Sequence, residues 1–564
     1  MRGGALGRTE VQERTVDLVV IGSGTGLAAA LTGTERGLST LVIEKTEYVG
    51  GSTALSGGAF WIPANSVLAD NGVFDSEERG NAYLDAVVGD TAPQERRRAY
   101  VRHGPETVDM LRRLTPLKFI WAQGYSDYHP ENPGGAASGR SCESAPFDVK
   151  RHLGAHRALL RPTKLAAPVP MPITSPDYRW INLMAKVPSK GVTRAAARVG
   201  QGIGGKLIGR EYVAGGQALA AGLFAGAIAA DVPIWTRTSL VRLLVEDGRV
   251  GGVVVVHDGR EVTVTARRGV VLSAGGFDRN MAWRHEYQSP SLQEWSQGAP
   301  GNTGDAIAAA MDVGGDIDLM DQAWWFPSVA PLPGADPAVM LAERSLPGSM
   351  IVDRHGRRFI NESIDYMTFG QELLRRERAG DPVGDMWIVF DQTYKNSYVF
   401  ATISYPRMPL PRSWYEHGIA ARADTPGQLA ERVGLPQDEF VQTVERFNQD
   451  ASTGFDSQFH RGDSVYDRYY GDPTNLPNPN LRPLTRGPFY AVKVIPSDLG
   501  TCGGLRADGT ARVLRADGSV IPGLYATGNT AANAFGSVYP GAGATIGQGL
   551  VFGHIAAGHA ASQE

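Results

Sequence analysis

Residues 17–44 constrain what this chain can fold into more than any other stretch. Asp17-Leu-Val-Val-Ile21 is an apolar run of the kind that forms a strand buried on both faces. Gly22-Ser-Gly-Thr-Gly26 follows as a sharp turn, residues 28–31 open an apolar helix, and residues 38–43 form a second strand closed by Glu44. Strand, glycine turn and helix in that order aim the unpaired N–H groups of a helix N-terminus at a phosphate. Glycine is needed because a Cβ would hold the backbone away. The unit predicts a dinucleotide site with Gly22, Gly24, Thr25 and Gly26 at the pyrophosphate and Glu44, followed by Lys45, at the ribose. An acid there accepts hydrogen bonds from a diol and disfavours a 2′-phosphate. The usual third glycine would fall at Leu27, and Gly26 comes one residue early.

Composition narrows the class. A chain of 564 residues exceeds one core, so two or three domains are expected. Seventy glycines and 35 prolines alongside 42% apolar residues, with no period, fit a loop-rich packed enzyme. A net charge of −4 and the lack of a Lys/Arg stripe argue against a nucleic-acid partner. Two cysteines, Cys142 and Cys502, supply neither a disulfide framework nor a thiolate metal site, and a cytoplasmic setting is the default. Residues 1–11 do not read as a signal peptide, and residues 218–230 are too short to cross a bilayer, reading instead as an inner helix. His152 and His156 lack the glutamate of a zinc-hydrolase helix, so no metal is expected.

Further small-residue segments return to the opening unit. Gly51, Ser52, Thr53, Ser56, Gly57 and Gly58 lie in a loop suited to wrapping a cofactor. Strands at 233–236, 239–245 and 250–256, then 262–266, lead to an apolar strand ending in Ala274-Gly275-Gly276. Residues 523–529 run as a strand into Gly528 and Asn529, and a glycine turn at 539–547, with Gly543, Thr545 and Ile546, feeds a helix to about residue 558. The fold class expected is α/β: a split Rossmann-type FAD-binding domain (residues 1–277 and 487–564) with an inserted α+β catalytic domain (278–486). A helix is expected over 93–114, kinked or split at Gly104-Pro105, with amphipathic helices at 425–433 and 437–450. Residues 149–186 give no regular pattern.

Six stretches carry a resemblance: residues 50–58, 124–131, Glu343-Arg-Ser-Leu-Pro-Gly348, Asn361-Glu-Ser363, Asp498-Leu-Gly-Thr501 and 539–547. On these the chain resembles the FAD-dependent 3-ketosteroid Δ1-dehydrogenases, within the fumarate reductase/succinate dehydrogenase flavoprotein group. The resemblance implies non-covalently held FAD, a 3-ketosteroid substrate and an external electron acceptor. It implies that Tyr539 and the Gly543 N–H hold the C3 oxygen, that Tyr366 takes the C2 proton with help from Tyr128, and that C1 gives a hydride to the flavin. Tyr125 is the alternative to Tyr128 in the loop. Val339, Met340 and Leu341 fall near the substrate slot, Trp324 and Trp325 belong to slot or core, and His129 and His355 are ordinary loop or surface residues. Cys502 stands where lysine is frequent, beside Gly503 and Gly504, which are expected to face the cofactor. Three alternatives stay open: a 3-ketosteroid 4(5)-dehydrogenase, a fumarate-reductase-like enzyme clamping a carboxylate with Arg344, Arg357 and Arg358, and a flavin-binding electron-transfer protein.

Overall fold

The computed structural model describes residues 12–163 and 169–563, so the reading of residues 1–11 lies outside the described part. An eight-stranded sheet forms the base of the molecule. Its first strand, Gln12–Ile21, pairs in parallel with Thr40–Ile43 on one side and Arg260–Leu272 on the other, and Val520–Ala526 pairs in parallel beyond the latter. Leu18 and Val20 face one apolar layer while Val19 and Ile21 face the other, which is why the run carries no polar alternation. The expected strands 262–266 and 269–276 are one strand, Arg260–Leu272, with an irregularity where Gly269 adopts φ +140°.

The early third glycine has a physical reason. Gly26 begins the helix Gly26–Glu35, and a Cβ on it would lie 3.1 Å from Val20 Cγ1 and from Ser273 Cβ. It therefore lets helix and strand approach closely, and Leu27 beside it is fully buried. The helix Ala544–Ser562 lies across this one, with Gly549 where a Cβ would strike Thr25 Oγ1 at 2.3 Å.

A second, six-stranded sheet is built from antiparallel pairs. Its central strand, Phe489–Thr501, pairs with Ala323–Val329, Met386–Asp391 and Ala420–Ala423. The sequence reading placed this strand in the returning cofactor segment. Nothing in the strand itself says which sheet will take it, because the choice rests on partners distant in the chain.

Three further readings change. The helix Gln94–Leu114 is not split, continuing as one helix with Pro105 inside it. A helical proline costs about 3 kcal/mol, and here the apolar face of Tyr100, Val101, Val108 and Leu111 is buried while Gly104 sits against Ile62. Residues 149–186 do hold helices, Val149–Leu153 and Ser175–Asn182, and Pro188–Leu207 is a third that went unread. The overlooked signal was Thr174-x-x-Asp177, which forms a capping box at the start of the second. Among the described residues no helix is long and apolar enough to cross a membrane.

Candidate active site

Four parallel strands end in step. Ile21 is level with Ile43 and Leu272, and Leu272 with Ala526. The next residues of each strand, Gly22, Glu44, Ser273 and Gly528 shortly after, open into one cavity of about 1380 Å³. A crevice at the carboxyl ends of parallel strands is where α/β sheets take ligands. Of the residues expected at the cofactor, all line this cavity except Gly26, which is spent on packing, and Gly503 and Gly504.

Local contacts set this end of the cavity. Gly22 has φ +107°, and a Cβ would lie 2.2 Å from Ser273 O, so only glycine permits the turn. Glu44 is buried; its carboxylate accepts from the Ser23 hydroxyl at 2.5 Å and from the Thr46 N–H and hydroxyl at 2.9 and 2.8 Å. Those partners already occupy the carboxylate, so a ribose would meet Glu44 together with Ser23 and Thr46. Lys45 Nζ donates to Asp305 Oδ2 at 2.5 Å and to Thr303, tying the strand end to the 301–305 loop. Ser52 Oγ accepts from Ala299 N and Asn302 Nδ2, each at 2.9 Å, and keeps its own hydrogen for a ligand. Asn529 Oδ1 accepts from Trp324 Nε1 and the Thr545 hydroxyl, both at 3.1 Å.

At the other end three buried tyrosines meet. The ring centroids of Tyr128, Tyr366 and Tyr539 are 5.2–5.5 Å apart, and the Tyr128 hydroxyl donates to the Tyr366 oxygen at 2.9 Å. Tyr125 is one step removed: its hydroxyl lies 3.3 Å from that of Tyr128, and its ring stacks on Tyr469 at 4.4 Å. Between Tyr125 and Tyr128, geometry puts Tyr128 on Tyr366. The loop is fixed from below, since Asp127 accepts from Trp61 Nε1 at 2.7 Å and pairs with Arg140, while Tyr128 N–H donates to Pro540 O at 3.0 Å. Burial raises the Asp127 carboxyl to about 6 even beside that arginine.

Tyr366 opens the helix Tyr366–Arg378, whose first turn Asp365 caps by accepting from Thr368 N–H at 3.0 Å. Burial, reinforced by Tyr539 and Tyr125, drives its hydroxyl well above the ordinary phenol value, and the hydrogen bond from Tyr128 works the other way. Burial also raises Tyr539, to about 12, against Tyr366 and the Gly543 N–H. Gly543 is the left-handed residue (φ +93°) that starts the helix Ala544–Ser562, and its N–H is directed at the Tyr539 oxygen. A Cβ there would lie 2.2 Å from Ala59 O.

The remaining candidates separate cleanly. Val339 and Leu341 line the cavity, whereas Met340 faces another core. In the strand Ala323–Val329, Trp324 packs on Tyr539 at 4.8 Å and Phe326 on Tyr366 at 4.6 Å, while Trp325 lies against Arg284. Phe326, which lines the cavity, was missed; the two-residue alternation from Trp324 would have found it. Tyr466, 4.5 Å from the Tyr128 ring, and Tyr470 were missed as well. Arg344 donates to backbone carbonyls of Glu362 and Ile364, Arg357 pairs with Glu439, and Arg358 is bidentate to Glu362 and Asp456. These three arginines are thus committed elsewhere and form no carboxylate clamp. Gly503 and Gly504 do not face the cavity; a Cβ on either would strike Leu319 or Thr530 O at 2.5 Å. His129 and His355 lie outside the lining, and no metal-holding cluster occurs among the described residues.

The cavity is larger than a single small-molecule site usually is. Single small-molecule sites typically span about 300–1,000 Å³. The glycine cradle, the helix N-termini and the acid fit a dinucleotide, and Ile173, Ile181, Val399 and Ile403 add apolar lining. A family model described as FAD binding domain matches residues 17–546. The 3-oxosteroid 1-dehydrogenase of Mycolicibacterium smegmatis is 45% identical over 553 residues, 96% of this chain and 96% of that protein. The 4-oxocyclohexanecarboxylate 2-dehydrogenase of Sinomonas cyclohexanicum is 34% identical over 563 residues, 96% of this chain and 92% of that protein. The crystal structure of 3-ketosteroid delta1-dehydrogenase from Sterolibacterium denitrificans in complex with 1,4-androstadiene-3,17-dione superposes with a TM-score of 0.91 at 36% identity, covering 98% of this chain and 100% of that one.

Proposed function

The chain belongs to the FAD binding domain family, and from that premise we propose that it is a flavin-dependent dehydrogenase that places a C1–C2 double bond in a 3-ketosteroid. The observation that carries this reading is the meeting of Tyr128, Tyr366, Tyr539 and the Gly543 N–H in the same cavity as the dinucleotide cradle. Bound FAD supplies the hydride acceptor that no side chain offers. Gly22, Ser52, Asn529 and the N-terminus of the helix Ala544–Ser562 are the groups suited to hold it.

The chain's own residues handle the ketone and the proton. Acidifying a carbon next to a carbonyl requires fixed donors at the oxygen, and the Tyr539 hydroxyl with the Gly543 N–H supplies two. Tyr366 Oη takes the proton from C2, and the Tyr128 hydroxyl stabilises the charge that makes it a base. The apolar walls at Phe326, Val339 and Leu341 hold the rings and keep water from the reacting carbons. Turnover needs an external electron acceptor, because two electrons leave the steroid.

The same reading divides the chain into a split cofactor domain (1–277 and 487–564) and an inserted catalytic domain (278–486). Its support is a first sheet that collects strands from residues 12–272 and 512–526 around a second sheet from residues 323–501. The strand Phe489–Thr501 then joins the two, supplying sheet partners to one and Leu499 to the cavity wall.

A saturated 3-ketosteroid carrying deuterium at C1 or at C5 tests the regiochemistry. Loss of label from C1 with a 1-ene product by NMR is expected. A 4-ene product that keeps C1 deuterium and loses C5 deuterium would overturn the assignment in favour of 4(5)-dehydrogenation.

A further inference from the structure

Two buried carboxyl groups behind the cofactor wall compete for one hydroxyl hydrogen. Asp278 follows the strand Arg260–Leu272 by six residues, Asp498 lies in the strand Phe489–Thr501, and both are buried. Ser296 Oγ is 3.0 Å from Asp278 Oδ2 and 2.7 Å from Asp498 Oδ1, and it accepts the Gly298 N–H at 3.0 Å. A serine has a single hydrogen to donate. Asp498 is otherwise well supplied: Arg284 Nη1 donates to Oδ2 at 2.6 Å and Gly500 N–H to Oδ1 at 2.8 Å. Asp278 Oδ1 accepts from Asn302 Nδ2 at 3.0 Å. With both acids ionised, one serine–carboxylate contact would be oxygen against oxygen, and two buried anions would share one arginine. A proton on Asp278 Oδ2 resolves both problems, since Asp278 then donates to Ser296 and Ser296 donates to Asp498 opposite Arg284.

We propose that Asp278 keeps its proton up to neutrality, and that this proton sets the charge behind the flavin and orients the wall that touches it. The second half rests on the reading that the cavity binds FAD. Asn302 divides its two amide hydrogens between Asp278 and Ser52 Oγ, and its Oδ1 lies where a Cβ on Gly275 would be 2.4 Å away. Ser52 and Gly275 both line the cavity, so Asp278 is a positioning residue two hydrogen bonds from the cavity wall at Ser52. The charged groups that face it are Asp498 and Arg284; Arg279, next in the chain, donates to Ser296 O and Gly298 O instead. The Cys502 thiol near Asp498 is raised by burial and stays neutral. Burial first, then the Asp498 charge, lifts the Asp278 carboxyl to about 7. As pH rises through neutrality the proton leaves, a negative charge appears behind the cofactor, and added electrons become less welcome there.

The test compares holoenzyme and Asp278→Asn by the midpoint potential of the bound flavin across neutral pH and by infrared absorption of protonated carboxyl groups. The wild type is expected to show a steeper fall of potential with pH through neutrality than the variant. It is also expected to show a carboxylic-acid C=O band below neutrality that the variant lacks. Parallel potential–pH lines overturn the role at the flavin, and an infrared spectrum unchanged by the substitution overturns the protonation. The band is also measurable on flavin-free protein, so a failure to bind FAD, which would defeat the functional reading, is distinguishable from a failure of this one. Should Asp278→Asn not fold, Ser296→Ala removes the acceptor of the Asp278 proton; the same band then moves to higher frequency, and an unmoved band overturns the proposal.

Discussion

Tyr366 has to work as a base from surroundings that favour its protonated form. Burial lifts its hydroxyl well above the ordinary phenol value of about 10, and the hydrogen bond from Tyr128 only partly opposes this. The phenolate is therefore a small fraction at neutral pH, growing about tenfold with each pH unit below the pKa. For steroid oxidation, kcat/KM should climb through neutral pH into the alkaline range before levelling. Tyr366→Phe should lose about 10²–10⁴-fold in kcat and lose that climb. Tyr128→Phe should be milder and Tyr125→Phe milder still, because Tyr125 touches Tyr128 and not Tyr366. Stopped-flow reduction of the flavin measures all three; a Tyr366→Phe enzyme with the wild-type pH profile would assign the proton to another group.

Among the elements, the start of the helix Ala544–Ser562 admits little change. Gly543 holds a left-handed conformation, and a Cβ would collide with Ala59 O at 2.2 Å. Gly543→Ala should therefore shift the N–H that faces Tyr539, lowering kcat while the protein still folds. Gly558, in the same helix with nothing within 4 Å of its Cβ position, is the control. Gly558→Ala should leave kcat unchanged and raise the thermal midpoint, glycine to alanine in a helix being worth up to about 1 kcal/mol.

The contrast between local and distant determinants also explains what could be read from residues alone. Gly22, Gly24 and Glu44 are neighbours in one short unit, so chain order dictates their placement. The strand Phe489–Thr501 could not be assigned to its sheet because its partners lie up to about 180 residues away, in pairings no local pattern encodes. The helix Pro188–Leu207 was invisible for the opposite reason. Its glycines are poor helix formers, yet Gly191 and Gly202 are closely packed, with a Cβ on them reaching Trp180 O at 2.5 Å and Pro170 O at 2.0 Å. Packing overrides propensity there. Tyr366 and Tyr539 were legible only through the family resemblance, since a tyrosine in isolation carries no sign of its partners.

For the whole molecule, the arginines that seemed available to a carboxylate substrate instead bind the loop at residues 353–365 to itself and to Glu439 and Asp456. Arg358 makes two bidentate pairs, to Glu362 and to Asp456, at 2.7–2.9 Å, and Arg461 adds a contact to Glu362 at 3.2 Å. Burial alone would raise Glu362, but Arg358 and Arg461 outweigh it and its carboxyl lies below the usual range; Asp456 is lowered in the same way. Their folded pKa values are depressed, so their contribution is complete above the unfolded values near 4 and is lost as pH falls through the folded ones. Arg358→Ala should cost about 3–5 kcal/mol at neutral pH by stranding buried carboxylates. Denaturant unfolding should show that deficit shrinking as acid neutralises them; a deficit constant with pH would mean that lost packing, not charge, causes it.

The level strand ends Ile21, Ile43, Leu272 and Ala526 also impose a timetable on biosynthesis. A ribosome adding about 5–20 residues per second delivers the strand Val520–Ala526 on the order of 25–100 s after the first strand of the same sheet. Until then Arg260–Leu272 lacks that parallel neighbour, and Gly26–Glu35 lacks the helix that lies across it. Three of the four strand ends thus wait for the fourth, and the nascent chain spends that interval with an open sheet edge and uncovered apolar helix. Only with the last strand do all four ends that open into the cavity come together.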